Sequence, residues 1–286
     1  MSLTELKTLI TRHVRRDSAT AIDGVLLSSV DVPGPPASST TGTVFALIAQ
    51  GQKRMSLGDR VLDYGAGQYL LASVDLPVTG HFSVAPALGF GLILRPAAIA
   101  ALVLEAGLTG SRAPAPGLAV SDASPELIDA VVRMLRLLEQ PRDRPVLAPM
   151  IEREILWRLI TGDQGGTVRQ LGLADSGLSH VSRAVQWIRD NHAEPFRVED
   201  LARTAGMSVS AFHRTFLAVT AMSPIQFQKR IRLQQARLLL MGRPSDVAGA
   251  GLAVGYDSAS QFSRDYRRLF GEPPGRDAAR LTAGRV

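Results

Sequence analysis

The sequence predicts an α+β chain in two parts. The first is a small antiparallel barrel or sandwich with a helical pair, and the second is an all-α part with two helix-turn-helix units. Three observations predict it. Residues 22–95 break into short runs rich in Val, Ile, Leu, Phe and Tyr, separated by Gly- and Pro-containing turn signals. From Pro96 onward the apolar residues recur at helical spacing. The charge is lopsided: residues 176–286 hold 16 Lys and Arg against 9 Asp and Glu, whereas residues 1–175 hold 16 against 17.

Taken in order, the chain opens with an amphipathic helix, with Leu3, Leu6, Ile10 and Val14 on one side and Glu5, Lys7 and Arg12 between them. Strands are expected at Ile22–Val30, Thr43–Gln50, Arg54–Leu57, Arg60–Tyr64, Tyr69–Val74, His81–Val84 and Leu88–Arg95. The turns between them are Pro33-Gly34-Pro35-Pro36, Gly51-Gln52, Gly58-Asp59, Gly65-Ala66-Gly67 and Leu76-Pro77. Short strands at this spacing suit a barrel that packs its interior or encloses one small ligand. Helices follow at Pro96–Gly107, Pro125–Gln140 and Val146–Gly162, after a turn-rich stretch at Ser111–Ser124. Leu127, Val131, Met134, Leu135 and Leu138 form a stripe on the second of these helices, and Ile151, Ile155, Leu159 and Ile160 one on the third. Such stripes serve equally to close a barrel or to join two subunits. Residues 163–178 are Gly-rich and polar at both ends, which suits a linker between residues 1–162 and 179–286.

The composition narrows the function classes. The chain has 286 residues, is 45% hydrophobic and 20% charged, and has no cysteine. That is enough apolar content for cores, and it excludes thiolate metal sites and a cysteine nucleophile. No apolar run approaches the roughly 18–20 residues of a spanning helix, and the N-terminus lacks the pattern of a signal peptide. The expectation is a soluble, cytoplasmic protein that does not engage a membrane. A basic half beside a near-neutral half suggests a polyanion-binding module joined to something else.

The basic half contains one pattern twice, near 198–219 and 247–270. Each copy is a short helix, a glycine (Gly206, Gly255), a polar cap and a longer helix. Phe212 and Phe216 in the first copy, and Phe262 and Tyr266 in the second, sit at i, i+4 and pack inward. The opposite faces carry Ser210, Ala211, His213 and Arg214, and Ser260, Gln261, Ser263 and Arg264. Helices of this kind fit the major groove, where an Arg fork suits guanine and Gln suits adenine. Ser258 to Gln261 also matches a capping box, which gives Gln261 a second, structural reading. Between the units, Pro224–Met241 reads as one helix, with Ile225, Ile231 and Leu238 on its apolar side and Lys229, Arg230, Arg232 and Arg237 crowding the rest.

With these residues the chain resembles the AraC/XylS family of bacterial transcription regulators. The resemblance is carried by Val198-Glu-Asp-Leu-Ala, Ala205-Gly-Met-Ser, Phe212-His-Arg-Thr-Phe, Met222-Ser-Pro, Arg232-Leu-Gln-Gln-Ala-Arg-Leu-Leu-Leu, Val254-Gly-Tyr and Ser258-Ala-Ser-Gln-Phe-Ser-Arg. In the first half it is carried by Gln50-Gly-Gln-Lys, Leu57-Gly-Asp, Tyr64-Gly-Ala-Gly-Gln-Tyr-Leu, Ser73-Val-Asp-Leu-Pro-Val and Ile151-Glu-Arg-Glu-Ile-Leu. The resemblance implies a cupin-like N-terminal barrel that binds an effector, dimerises or both. It also implies a C-terminal domain of seven helices that binds double-stranded promoter DNA, with RNA polymerase as a further partner and activation the usual outcome. By family pattern Ser210, His213 and Arg214, and Ser260, Gln261 and Arg264, match base-facing positions. The family usually has alanine where Gly251 stands and a polar residue where Leu252 stands. Two glycines, Gly249 and Gly251, cost the helix before the second turn about 1 kcal/mol each against alanine, which predicts a looser second unit.

Other signals carry less. Gly249 to Gly255 imitates a dinucleotide fingerprint but follows no strand. The histidines are His13, His81, His180, His192 and His213, and only His81 lies among the strands, too few for a cupin-type metal site. No enzyme and no cofactor are expected. Asp59, Asp63 and Asp75 with Lys53, Arg54 and Arg60 read as turn and strand-edge charges, with a polar handle on a ligand as the alternative. Phe45, Tyr64, Tyr69, Phe82 and Phe90 read as core, and Trp157 and Trp187 as packed helix residues. The leading reading is a dimeric DNA-binding regulator whose N-terminal domain senses a small organic molecule. The alternatives are an N-terminal domain that only dimerises, and a cupin-like enzyme with a nucleic-acid appendage.

Overall fold

The computed structural model describes residues 2–109 and 115–283. Ser111–Pro114, the start of the stretch read as turn-rich, lie outside the described residues. The chain forms two compact units that part between Ser182 and Arg183, with Ala218–Ala221 grouped with the first.

The first unit is built on one antiparallel sheet of seven strands: β1 (Val25–Val30), β2 (Ala37–Thr40), β3 (Val44–Leu57), β4 (Arg60–Gly65), β5 (Gln68–Ala72), β6 (Pro77–Ile93) and β7 (Leu118–Asp122). The main path runs β1-β6-β3-β5-β7, and β2 and β4 extend the far halves of β6 and β3. Two pairs of expected strands fuse into the long strands β3 and β6. The reason is local: Gly51-Gln52 is a bulge, not a turn, with Gly51 at φ +79° and the β3–β6 register shifting around it. Pro86 falls in the part of β6 opposite this bulge, between the pairs Gln52↔Val84 and Gln50↔Leu88, so its missing N–H breaks no bond to β3. β2 and β7 were not expected. Both are edge strands, and the largely exposed Ala37-Ser-Ser-Thr40 carries no apolar alternation.

Alternation on the paired strands builds the core. Phe45 and Leu47 face Leu71 and Tyr69 on one side and Leu92 and Phe90 on the other, all 3% exposed or less. The Phe45 ring lies 5.2 Å from Tyr69 and 6.1 Å from Phe90, spacings of tilted and edge-on packing. α1 (Leu3–His13) adds Leu6, Leu9 and Ile10. α3 (Pro125–Arg136) starts on a Ser124 cap, buries Leu127, Val131, Met134 and Leu135 of its stripe and packs on α4 (Arg144–Thr161), while Leu138 is half-buried in the 3-10 turn that follows. The α4 stripe of Ile151, Ile155, Leu159 and Ile160 also turns inward. Trp157 does not pack as expected: it is 36% exposed, on an outer face shared with Val146, Leu147 and Met150.

The expected linker is largely helical. α5 (Gly165–Gly172) buries Val168 and Leu171 and packs on α2 (Pro96–Glu105) and on α4. Its glycines misled the reading: a Cβ at Gly172 would lie 2.7 Å from the Ala100 backbone nitrogen, so this glycine serves close helix packing rather than freedom.

Among the described residues seven helices follow: α6 (Gly177–Asp190), α7 (Val198–Thr204), α8 (Val209–Thr220), α9 (Pro224–Gly242), α10 (Val247–Ala253), α11 (Ala259–Phe270) and α12 (Pro274–Ala283). Trp187 is half-buried, edge-on to Phe196 at 5.9 Å. Among the described residues no helix is long and apolar enough to cross a membrane.

Candidate nucleic-acid interface

The two repeated units share one backbone design. In the first, α7 ends on Gly206 at φ +71°, with Met207 N bonding back to Ala202 O at 2.9 Å. In the second, α10 ends on Gly255 at φ +82°, with Tyr256 N bonding back to Gly251 O at 3.0 Å. Both are left-handed helix stops with a six-to-one return bond, which glycine accommodates without strain. Ser208 and Ser258 then cap the next helices, their Oγ atoms accepting from Ala211 N at 3.4 Å and Gln261 N at 3.3 Å. The second turn is one residue longer, and the serine caps absorb the difference. Counted from the caps, Phe212 and Phe262 are equivalent, as are Phe216 and Tyr266, and Arg214 and Arg264.

The aromatic pairs are buried as expected. Phe212 and Phe216 lie 5.3 Å apart, and Phe216 meets Phe227 of α9 edge-on at 5.6 Å. Phe262 contacts Tyr256 at 5.3 Å and Tyr266 at 5.6 Å. Ser210, His213 and Arg214 are exposed on α8, and Ser260, Gln261 and Arg264 are exposed on α11. Only half of the expected capping box forms at Ser258. The side chain of Gln261 makes no reciprocal bond, in contrast to Gln226, whose Oε1 accepts from Ser223 N at 2.9 Å at the start of α9. The Ser260 hydroxyl is 3.0 Å from that of Ser258. Arg267 and Arg268, which the sequence reading did not single out, are exposed in the last turn of α11. Among the described residues Arg214, Arg264, Arg267 and Arg268 make no ion pair.

α9 corrects the sequence reading. Ile225 and Leu238 are 63% and 60% exposed, whereas Phe227, Ile231, Leu233, Ala236 and Leu240 are buried. The buried residues recur at steps of four, two, three and four residues, which gives a surface broad enough to meet the helices of both repeats. Most of the bases read as crowding this helix are structural. The Arg232 guanidinium donates to the carbonyls of His192 at 2.6 Å, Ala193 at 3.0 Å and Gly255 at 2.8 Å. Gln228 adds bonds to the carbonyls of His192 and Glu194. The second turn is thereby pinned to the loop after α6. Lys229 Nζ lies 2.7 Å from Asp265 of α11. Arg237 forms a bidentate pair with the fully buried Asp277 of α12, at 2.7 and 3.0 Å, and stacks on Phe270 at 4.5 Å. The Tyr266 hydroxyl donates to the same carboxylate at 2.8 Å, and Arg280 also reaches it. Burial alone would raise the pKa of Asp277, but the hydrogen bonds from Arg237, Tyr266 and Arg280 outweigh it and hold the carboxyl below its usual range. Tyr266 is pushed the other way, by burial first and by its carboxylate partner second.

The arrangement offers two capped helices with inward aromatic anchors and outward polar faces. They are joined through a 19-residue helix, which is about 28 Å long at 1.5 Å per residue. Comparison with known proteins agrees with this geometry. Residues 21–167 match the AraC-type transcriptional regulator N-terminus, and residues 201–280 match a helix-turn-helix domain. The transcriptional regulator ExsA of Pseudomonas aeruginosa is 28% identical over 165 residues, 57% of this chain and 58% of that protein. The transcriptional activator RhaS of Escherichia fergusonii is 28% identical over 167 residues, 53% of this chain and 56% of that protein. The match thus spans somewhat over half the length of these relatives. The solved structure of ToxT from Vibrio cholerae superposes with a TM-score of 0.53 at 10% identity, covering 92% of this chain and all of that one, a likeness of fold. With an AraC-type N-terminus matched over more than half the chain and paired helix-turn-helix units beyond it, this protein belongs to the AraC family of transcriptional regulators.

Proposed function

We propose that this regulator reads promoter DNA with α8 and α11. Ser210, His213 and Arg214, and Ser260, Gln261 and Arg264, supply the base contacts, while Arg267 and Arg268 serve the phosphates. The observation that carries this reading is the equivalence of Arg214 and Arg264. Each lies two residues beyond a fully buried Phe on a Ser-capped helix, exposed and without an ion pair among the described residues. Half-sites in successive major grooves, roughly 34 Å apart, suit the spacer helix. Arg214→Ala and Arg264→Ala are expected to cost about 1–3 kcal/mol of specific binding each and to relax one base position. Selection of genomic fragments on the purified protein, followed by binding to single-base variants of the selected site, checks this. Equal weakening at every sequence would reassign both arginines to phosphates. Affinity is expected to fall steeply with salt as counterions are released, and a flat response would sink the nucleic-acid reading.

A small organic effector binds in the strand-built domain, and two copies associate through the outer face of α4. Val146 and Met150, 66% and 63% exposed, support the association, as does Trp157 beside them. Activation, exerted through contact with RNA polymerase, is in keeping with the relative RhaS, a transcriptional activator. The effector reading agrees with the capture of ToxT, at the level of fold, with an unsaturated fatty acid bound. Met150→Glu is expected to yield a monomer in sedimentation. Unchanged mass on dilution would favour another interface.

A further inference from the structure

Lys53 is placed unlike the other charges of the strand region. The chain has 29 arginines and only three lysines, Lys7, Lys53 and Lys229. On β3, Lys53 stands in register with Tyr64 of β4 and Phe82 of β6. Residues directly opposite one another share a sheet face, so two rings flank this side chain. The face is the inner one: Tyr64 is 1% exposed, and Met55 and Leu57, which follow Lys53 at two-residue steps, are 6% and 3% exposed. The outer face behaves as a charged strand surface ordinarily does. There Arg54 pairs with Asp63 at 2.7 Å, in the row that includes His81. The strand-edge reading thus holds for Arg54 and Asp63 and fails for Lys53.

Among the described residues the Lys53 side chain makes no ion pair and no hydrogen bond. Its Nζ sits 5.2 Å from the centre of the Phe82 ring, a weak substitute for an anion. Burial pushes its pKa down, the expected response of an ammonium carried inward without a counter-charge. Lys53 and Phe82 are themselves half-buried, so the ammonium is partly withdrawn from water, a setting in which a charge is ordinarily paired. An amine on an aromatic-flanked inner face fits a ligand site, where few polar groups orient an apolar body. A single cation suits a monoanion, whereas a phosphate would call for several charged donors.

We propose that Lys53, between Tyr64 and Phe82, anchors an effector that carries one carboxylate on an apolar body. The carboxylate meets the ammonium, and the body lies along the inner face by Met55 and Leu57. The inference rests on the effector reading above and specifies its site and chemical class.

The test uses the full-length protein and two probe pairs: 2-naphthoate with 2-naphthylmethanol, and cis-9-hexadecenoate with its alcohol. Calorimetry gives the affinities. Reductive 13C-methylation gives a separate NMR signal for each lysine, assigned with Lys53→Met. The expected result is that at least one carboxylate binds tenfold or more tighter than its alcohol and shifts the Lys53 signal. Lys53→Met removes the preference, and Lys53→Arg, which keeps the charge, retains it. Saturable binding of a probe with the Lys53 signal unmoved, or with affinity unchanged in Lys53→Met, overturns the anchor and leaves the effector reading standing. No heat and no shift with any probe overturns both.

Discussion

The two helix-turn-helix units reach the same geometry from unequal sequences. The first short helix, Val198-Glu-Asp-Leu-Ala-Arg-Thr, has an acidic first turn and sound helix formers. The second, Val247-Ala-Gly-Ala-Gly-Leu-Ala, holds two glycines in seven residues, yet it forms on an Asp246 cap whose carboxylate accepts from Gly249 N at 2.9 Å. Matched at their turns, Ala202 corresponds to Gly251 and Arg203 to Leu252. A Cβ at Gly251 would lie 3.0 Å from the Phe262 ring, so the residue that weakens the helix is the one the ring packs against. The second unit compensates with contacts from outside itself: Arg232 on the turn, Lys229 on Asp265, and Arg237 with Asp277 beneath Tyr266. A helix poor in propensity persists when tertiary packing supplies what the local chain lacks.

The largest effect that separates the units is expected at Asp277. Asp277→Ala strands the buried Arg237 without its partner and should cost about 3–5 kcal/mol, read as selective loss of amide protection in α10–α12 while α7 and α8 stay protected. Uniform loss across both units would mean that they fold as one. The same carboxyl fixes an acid limit. Its folded pKa lies below the unfolded value of about 3.9. The stability it contributes is therefore complete above that value and is lost as pH falls through the folded pKa. Urea midpoints measured between pH 6 and 2.5 should show this loss, and Asp277→Asn should flatten it.

Next comes the pair of turn glycines. Gly206→Ala meets the left-handed backbone penalty of about 1–2 kcal/mol. Gly255→Ala meets the same penalty and also places a Cβ 2.1 Å from the Ala193 carbonyl oxygen, which adds about 1–3 kcal/mol of forced displacement. Equal destabilisation of the two variants in thermal unfolding would show that the close approach at Ala193 relaxes freely. The smallest effect is expected at Gly251. Alanine there gains about 1 kcal/mol of helix propensity and loses a similar amount against Phe262, so the net change stays within about 0.5 kcal/mol. A full gain would mean that the ring moves aside at no cost.

Much of this was legible in the chain itself. Phe212, Phe216, Phe262 and Tyr266 at four-residue spacing named the buried faces, and the opposite faces then followed from helix geometry. The Ser caps and turn glycines marked both units. Four of the misreadings have a common cause, since each rests on a residue whose partner lies far away in sequence. Gly172 resembled a linker glycine because Ala100, which it packs against, is remote. Gly51 resembled a turn because only the β3–β6 register exposes a bulge. Arg232 and Arg237 read only as bases crowding the polar side of α9 because the His192 and Gly255 carbonyls and Asp277 come from other elements. Lys53 resembled a strand-edge charge because its parity is set only beyond the bulge.

Periodicity, caps, turn glycines and charge asymmetry are local properties, and they were enough to determine the α+β class, the repeated unit and the outward faces of α8 and α11, on which the family resemblance selected six residues. The tertiary structure decided which glycines are packed, which arginines are consumed within the fold, which face of α9 is buried and which side of the sheet Lys53 occupies. Those outcomes depend on burial and pairing between distant segments. A one-residue change of register moves a side chain from solvent to interior, and local composition does not record it.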